Sequence, residues 1–248
     1  MIDAIKLRIL QGDPIVHDVK NAHLPKLFRG LPVIADKPCP AGCDKCAAVC
    51  PARAVTTSPL SIDLGRCTFC PLCEEACPEK IIHYTNNYHI ASDKRENLIV
   101  TKDTKKIHPA HASKRIRDYF GKSLKLRQVS AGGCNGCELE LNALNNVNFD
   151  MGRFGIEFVA SPRHADGIVI TGPVTRNMSK ALEICYEAVP NPKIIILVGA
   201  CAIGGHVFEN SGQLQRKFLD ENKIDLYIPG CPPHPLTFIA GILSFIGR

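Results

Sequence analysis

The sequence predicts an α/β fold, a doubly wound parallel sheet in the C-terminal half, preceded by a small α+β unit built around cysteine. From about Leu124 onward, short β-rich runs alternate with segments of helix length, as strands joined by crossover helices do. Earlier in the chain, Cys43, Cys46 and Cys50 recur 27 residues later as Cys70, Cys73 and Cys77, and Pro51 and Pro78 follow the last cysteine of each copy. Cys39 and Cys67 extend the repeat with an offset of 28.

The chain opens on Ile2, Ile5 and Ile9 at helical spacing beside Lys6 and Arg8, an amphipathic stretch suited to a partner subunit or a lipid interface. Residues 1–37 are therefore read as a partner- or membrane-contacting segment. No export signal marks this end, and the longest apolar runs, 194–202 and 235–247, fall short of the roughly 18 to 20 residues that span a bilayer. A cytoplasmic chain that does not cross a membrane by itself is expected.

Residues 38–92 hold both cysteine units, with short strands expected at 54–57, 61–63 and 81–84. That is too little apolar material for an independent core without bound metal. Residues 93–122 form a basic linker: the stretch 94–127 sums to +8 while the rest of the chain sums to −2. Its only aromatics are Tyr119 and Phe120, thin for stacking on bases, so a solvated connection or a subunit contact is expected and no nucleic acid. Residues 123–248 carry expected strands at 124–129, 156–160, 167–171, 193–198 and 225–228, with helices near 137–146, 176–189, 213–221 and 235–246.

At 45% hydrophobic and 22% charged residues the 248-residue chain has ample core material, which excludes disordered and fibrous classes. Thirteen cysteines in a chain with no export signal point to metal rather than disulfides. The second unit reads Cys67-x2-Cys70-x2-Cys73-x3-Cys77-Pro78, the spacing in which three cysteines hold one [4Fe-4S] cluster and the fourth serves its twin. Cys50, Cys67, Cys70 and Cys73 are then one ligand set, and Cys39, Cys43, Cys46 and Cys77 the other. Three residues, Pro40-Ala41-Gly42, separate Cys39 from Cys43 where two are usual, so Cys39 needs a local bulge to deliver its sulfur. Zinc held by CxxC pairs has no use for this three-plus-one register with trailing prolines.

Cys134, Cys137, Cys201 and Cys231 all follow expected strands, and loops at the carboxyl edge of a parallel sheet converge in space. A third [4Fe-4S] cluster is the economical reading. Cys185 lies at helical spacing with Leu182 and Val189 and reads as a small buried hydrophobe. Gly199-Ala-Cys-Ala-Ile-Gly204 has the spacing of a dinucleotide fingerprint, but a side chain at the central position would block a pyrophosphate, so neither NAD nor flavin is expected.

Gly132-Gly-Cys-Asn-Gly-Cys-Glu138, Ser161-Pro-Arg-His-Ala-Asp166, Thr171-Gly-Pro-Val-Thr175, Gly199-Ala-Cys201 and Gly230-Cys-Pro-Pro233 resemble the small subunit of the energy-converting, formate-hydrogenlyase-like (group 4) [NiFe] hydrogenases, homologous to the 20 kDa subunit of complex I. The stretch from Phe28-Arg-Gly30 to Leu98 is similar to the separate two-cluster ferredoxin subunit of the same complexes, as if the two were fused. The resemblance implies a flavodoxin-like C-terminal domain behind a bacterial-type 2[4Fe-4S] ferredoxin domain. It implies an oxidoreductase's electron-transfer subunit with no Ni-Fe centre of its own, working with a catalytic large subunit, integral membrane subunits and a ferredoxin or dehydrogenase donor. Peripheral association with the inner membrane follows. The complex I homologue usually has adjacent cysteines where this chain has Cys134-Asn-Gly-Cys137, which tilts the reading from quinone reduction toward hydrogenase chemistry.

Other residues near these motifs have two readings. Arg163 and His164 are candidates to tune a cluster through its surroundings, or are surface or partner contacts. Glu138 is a candidate proton relay, or an acid favoured by a helix N-terminus. His206 and His234 have no stronger claim than loop or interface residues.

Overall fold

The computed structural model describes residues 2–108 and 110–248, without the side chain of Ile2; Met1 and Pro109 lie outside the described residues. Helix α1 (Ile2–Gln11) leaves Ile5, Leu7, Ile9 and Leu10 exposed. The chain after it is built into the protein: Val19 is buried, its carbonyl accepts from the Tyr88 hydroxyl at 2.8 Å, and that oxygen accepts from Ala22 N–H at 3.0 Å.

The cysteine-rich unit runs through β1 (Pro32–Ile34), α2 (Lys45–Ala48), β2 (Val55–Thr57), β3 (Leu60–Asp63), α3 (Leu72–Ala76), β4 (Ile82–Tyr84) and β5 (Ile99–Val100). Strands β2, β3 and β5 form an antiparallel sheet, and β1 pairs antiparallel with β4. The unit thus takes one strand from the expected N-terminal segment and one from the expected basic linker. Three- and two-residue strands carry no readable alternation, so these pairings come from the packing around the cysteine loops.

The internal repeat persists at atomic detail. Three residues after each trailing cysteine, Arg53 and Lys80 both adopt left-handed backbone, at φ +50° and +51°. That turn swings the next amide back onto the sulfur: Ala54 N–H donates to Cys50 Sγ at 3.2 Å and Ile81 N–H to Cys77 Sγ at 3.3 Å.

After α4 (Lys114–Phe120) come β6 (Leu124–Ser130), α5 (Gly136–Ala143), β7 (Ile156–Phe158), β8 (Gly167–Thr171), α6 (Arg176–Ala188), β9 (Ile194–Val198), α7 (Ala200–Gly204), α8 (Lys217–Glu221), β10 (Leu226–Ile228) and α9 (Pro235–Ile246). The five strands are parallel in the order β10-β9-β8-β6-β7. Counted from β6 this is 2-1-3-4-5, the flavodoxin-like order, whose switch point lies between β6 and β8. Both faces are covered: β8 and β9 are buried at every residue, as continuous Val/Ile runs require. Val169, Ile194 and Ile196 point into a core with α5 and α9, while Ile168, Ile170 and Ile195 point into one with α6 and α8.

That second core is continuous with the cysteine-rich unit, taking in Ile62, Leu64, Cys67, Cys77 and Leu98. The sheet face supplies the apolar partner that the small unit lacks. Helix α8 is shorter than expected because Leu214 is drawn into an antiparallel bridge with Thr175. Among the described residues, no helix is long and apolar enough to cross a membrane.

Candidate metal centres

The carboxyl edge of the sheet gathers four thiols. The chain leaves β6 at the switch point, passes Gly132 and Gly133, places Cys134 in an exposed turn, and puts Cys137 in the first turn of α5. Cys201 sits in α7 after β9, and Cys231 follows β10. Two close approaches explain glycines here. A Cβ at Gly199, where φ is +89°, would come within 2.5 Å of Cys137 Sγ; at Gly172, φ +80°, it would come within 2.5 Å of Gly133 N.

Burial pushes the Cys137 thiol well above its ordinary range, followed by the neighbouring Glu138 carboxylate and by Cys201, Cys231 and Cys134. Cys201 is pushed up to about 11 by burial, then by Cys231 and Cys134. Cys231 is raised by burial, then Cys134, then Cys70 of the second cysteine unit. The four thiols therefore lie within one another's fields, and the set is within reach of a neighbouring one. Thiols so raised stay protonated and neutral on their own, and would ionise only beside a cationic group that offsets their charge.

The other eight cysteines form two such neighbourhoods. Cys67 is pushed up to about 12 by burial, against the Tyr84 hydroxyl and the Phe69 amide that bond its sulfur, with Cys73 and Cys50 raising it further. Cys73 is raised by burial, with Cys70 and Cys50 acting the same way. Cys39 is raised by burial, then Cys77 and Cys43; Cys46 by burial, with Cys77 and Cys39 adding to it. The extra residue before Cys43 is absorbed in a turn in which Gly42 takes φ +72° and Cys43 N–H donates to the Pro40 carbonyl at 3.0 Å.

All thirteen cysteines are free thiols. Among the described residues, no three Cys, His, Asp or Glu side chains stand close enough to hold a single metal ion. The all-sulfur donor sets, amides already donating to sulfur, and the glycine at 199 fit an iron–sulfur group. When bound, such groups supply one-electron storage and transfer.

Glu138 is buried, at 8% exposure, and its Oε1 accepts from the hydroxyls of Ser130 and Thr171, each at 2.6 Å. Burial works to raise this carboxyl, but those two bonds outweigh it and hold it below its usual range. Arg163 and His164 are not brought to the thiols. Both are exposed on the short 3-10 turn that feeds the amino end of β8, whereas the cysteine loops leave carboxyl ends. Cys185 is half-buried on α6 and packs against the core. His234 caps α9 by accepting from Leu236 N–H at 3.2 Å, between the rings of Phe28 and Phe149.

Two residues here had no signal in the sequence. The Tyr84 hydroxyl lies 3.3 Å from Cys67 Sγ and 3.6 Å from Cys73 Sγ. Arg216 donates to four carbonyls, those of Pro173, Cys201, Ala202 and Ile203, at 2.8 to 3.2 Å. Tyr84 looks like any strand aromatic and Arg216 like any surface cation until the fold is known.

The family described as NADH ubiquinone oxidoreductase, 20 Kd subunit, matches residues 134–245, from the first thiol of the sheet edge almost to the end of α9. A probable membrane-bound hydrogenase subunit of Pyrococcus furiosus is 39% identical over 125 residues, 50% of this chain and 75% of that one. The chain belongs to the 20 kDa subunit family. Within it, formate hydrogenlyase subunit 7 of Escherichia coli is 40% identical over 126 residues, 51% of this chain and 49% of its own length. A subunit of the NADH-quinone oxidoreductase of Citrifermentans bemidjiense is 44% identical over 109 residues, 44% of this chain and 63% of its own. A chain of the membrane-bound sulfane sulfur reductase, an archaeal respiratory membrane complex, aligns over 54% of this chain and 73% of its own at 31% identity, with a TM-score of 0.47.

Proposed function

We propose that this chain is the electron-transfer subunit of a membrane-associated, cytoplasm-facing [NiFe]-hydrogenase-type complex. The single observation that carries the reading is the sorting of twelve of the thirteen cysteines into three neighbourhoods, with Cys231 within the field of Cys70. In this reading Cys39, Cys43, Cys46 and Cys77 hold one [4Fe-4S] cluster, Cys50, Cys67, Cys70 and Cys73 a second, and Cys134, Cys137, Cys201 and Cys231 a third. Residues 38–92 act as a ferredoxin-type module fused ahead of the family domain at 123–248, with residues 1–37 and the basic stretch 93–122 as contact and connection. Cys134 and Cys231 are exposed, which suits a third centre facing a catalytic large subunit. Integral membrane subunits complete the assembly.

Names among the relatives support this reading, since membrane-bound hydrogenase and formate hydrogenlyase subunits share the domain. A second reading, a complex I-like quinone-reducing machine, is favoured by the 44% identity to the NADH-quinone oxidoreductase subunit. The spaced pair Cys134 and Cys137 favours the first. Glu138 serves as the buried acceptor that ties the β6 and β8 ends to α5 in either reading; a proton relay through it is tested by Glu138→Gln.

Iron and labile sulfide analysis of the anaerobically isolated complex, with EPR, tests the proposal: about twelve of each per chain are expected. Cys201→Ser is expected to silence hydrogen turnover while the ferredoxin-type signals persist. Two clusters or fewer, with the sheet edge bare, would end this reading.

A further inference from the structure

The two cysteine units differ at one strained backbone position. Gly42 stands immediately before Cys43 and Phe69 immediately before Cys70, so the 27-residue repeat puts them in register. Both take left-handed backbone, at φ +72° and +55°. Glycine enters that region freely, whereas a bulky aromatic residue stays there only where its surroundings hold it. The second unit therefore needs a restraint that the first does not.

Arg29 supplies it. Its Nε donates to the Phe69 carbonyl at 2.8 Å from 40 residues away, while Phe69 N–H donates to Cys67 Sγ at 3.2 Å. The left-handed residue is pinned on both sides. Because the peptide that follows is trans, fixing this carbonyl also fixes the Cys70 N–H, which points away from Arg29. The segment that carries Arg29 is itself held: Gly30 N–H donates to the Thr85 carbonyl at 2.7 Å and Leu31 N–H to that of Asn87 at 2.8 Å. Next to it, the Phe28 ring packs edge-on against His234, three residues past Cys231. The guanidinium thus reaches the Cys67–Cys70 loop from a fixed base.

We propose that Arg29 is a positioning residue: by clamping the Phe69 carbonyl it keeps the Phe69 amide on Cys67 Sγ, and so tunes the iron–sulfur centre proposed at Cys50, Cys67, Cys70 and Cys73. The inference rests on that reading of the four thiols. Hydrogen bonds to sulfur favour the reduced, more negative state, so freeing the amide lowers the midpoint potential.

Two variants separate the bond from the charge. Gln places its amide nitrogen as far along the side chain as Nε of Arg and keeps a donor without the charge; Met, of similar length, keeps neither. An EPR-monitored redox titration of the anaerobically isolated complex, with iron analysis, reads both. Arg29→Met is expected to lower the midpoint potential and alter the line shape of one iron–sulfur signal while the others stay as in the parent, and Arg29→Gln is expected to stay close to the parent throughout. Loss of that one centre's iron in Arg29→Met, with Arg29→Gln fully loaded, supports the same conclusion. Equal shifts in the two variants would assign the effect to charge and overturn the positioning role, as would parent potentials in both or unfolding of both. A parent without this centre brings down the proposed function as well; a centre that is present and indifferent to Arg29→Met sinks this inference alone.

Discussion

Gly204 packs backbone against backbone on Gly65: a Cβ at 204 would lie 2.7 Å from the Gly65 carbonyl oxygen and 2.5 Å from Cγ of Arg66. The reverse contact is as tight, since a Cβ on Gly65 would reach Cγ2 of Ile203 at 2.6 Å. The helix carrying Cys201 is thereby seated on the loop that leads into Cys67. Gly204→Ala is expected to cost about 1–3 kcal/mol of stability, as overpacking does. Gly212→Ala, where nothing lies within 4 Å, should change stability by less than about 0.5 kcal/mol. Urea denaturation of the two variants side by side checks both.

In the proposed function, where both sulfurs are thiolates, the Tyr84 hydroxyl is the donor, and its single proton is shared between Cys67 Sγ at 3.3 Å and the more distant Cys73 Sγ at 3.6 Å. Burial, reinforced by those two cysteines, pushes the phenol far above its ordinary range and keeps it protonated. Donation to sulfur stabilises the reduced, more negative state of a cluster. Tyr84→Phe is expected to lower the midpoint potential of the centre proposed at Cys50, Cys67, Cys70 and Cys73 while iron content stays the same. An EPR-monitored redox titration reads the shift; an unchanged potential would leave Tyr84 a packing residue.

The Arg216 guanidinium braces the carbonyls of Cys201, Ala202 and Ile203 together with that of Pro173. A lysine, with one compact ammonium, cannot span four acceptors in a fixed plane. Arg216→Lys is therefore expected to destabilise the chain by about 1–3 kcal/mol and to lower iron content at the sheet edge. Iron per chain together with the melting temperature checks it; full iron content with a lowered melting point would restrict Arg216 to bracing the fold.

His234 is half-buried between two aromatic rings, and that partial burial lowers its affinity for a proton below the ordinary 6.5. Well above pH 6.5 the ring is neutral folded or unfolded and contributes no pH dependence. Below it the unfolded chain takes up a proton that the folded chain resists, so stability falls as pH drops from about 6.5 toward the depressed folded value. His234→Asn keeps an α9 cap and removes this titration. Denaturation midpoints from pH 8 to 6 should decline less at the acid end in the variant than in the parent.

Cysteine spacing made the repeated unit readable, because ligand geometry around a compact loop is local; the three-plus-one pairing that this spacing suggests belongs to the proposed function. Alternating β-rich and helical runs did the same for the parallel sheet, whose buried strands at 167–171 and 194–198 lie within a residue of where hydrophobicity places them. The gathering of Cys134, Cys137, Cys201 and Cys231 at one edge follows from strand direction alone. Arg163 and His164 kept two readings in the sequence because motif proximity says nothing about which end of a strand a loop serves, and the fold puts them, exposed, ahead of the amino end of β8.

The tertiary structure alone decided what depends on distant segments meeting. Strands β1 and β5 join the cysteine-rich unit through pairings of two or three residues, too short to have a period. Gly65 meets Gly204, Tyr84 meets Cys67, and Arg29 meets Phe69, each across a separation set by packing of distant segments. Local chemistry determined which residues can bind metal; the shared core between the sheet face and the small unit determined which of them stand next to one another.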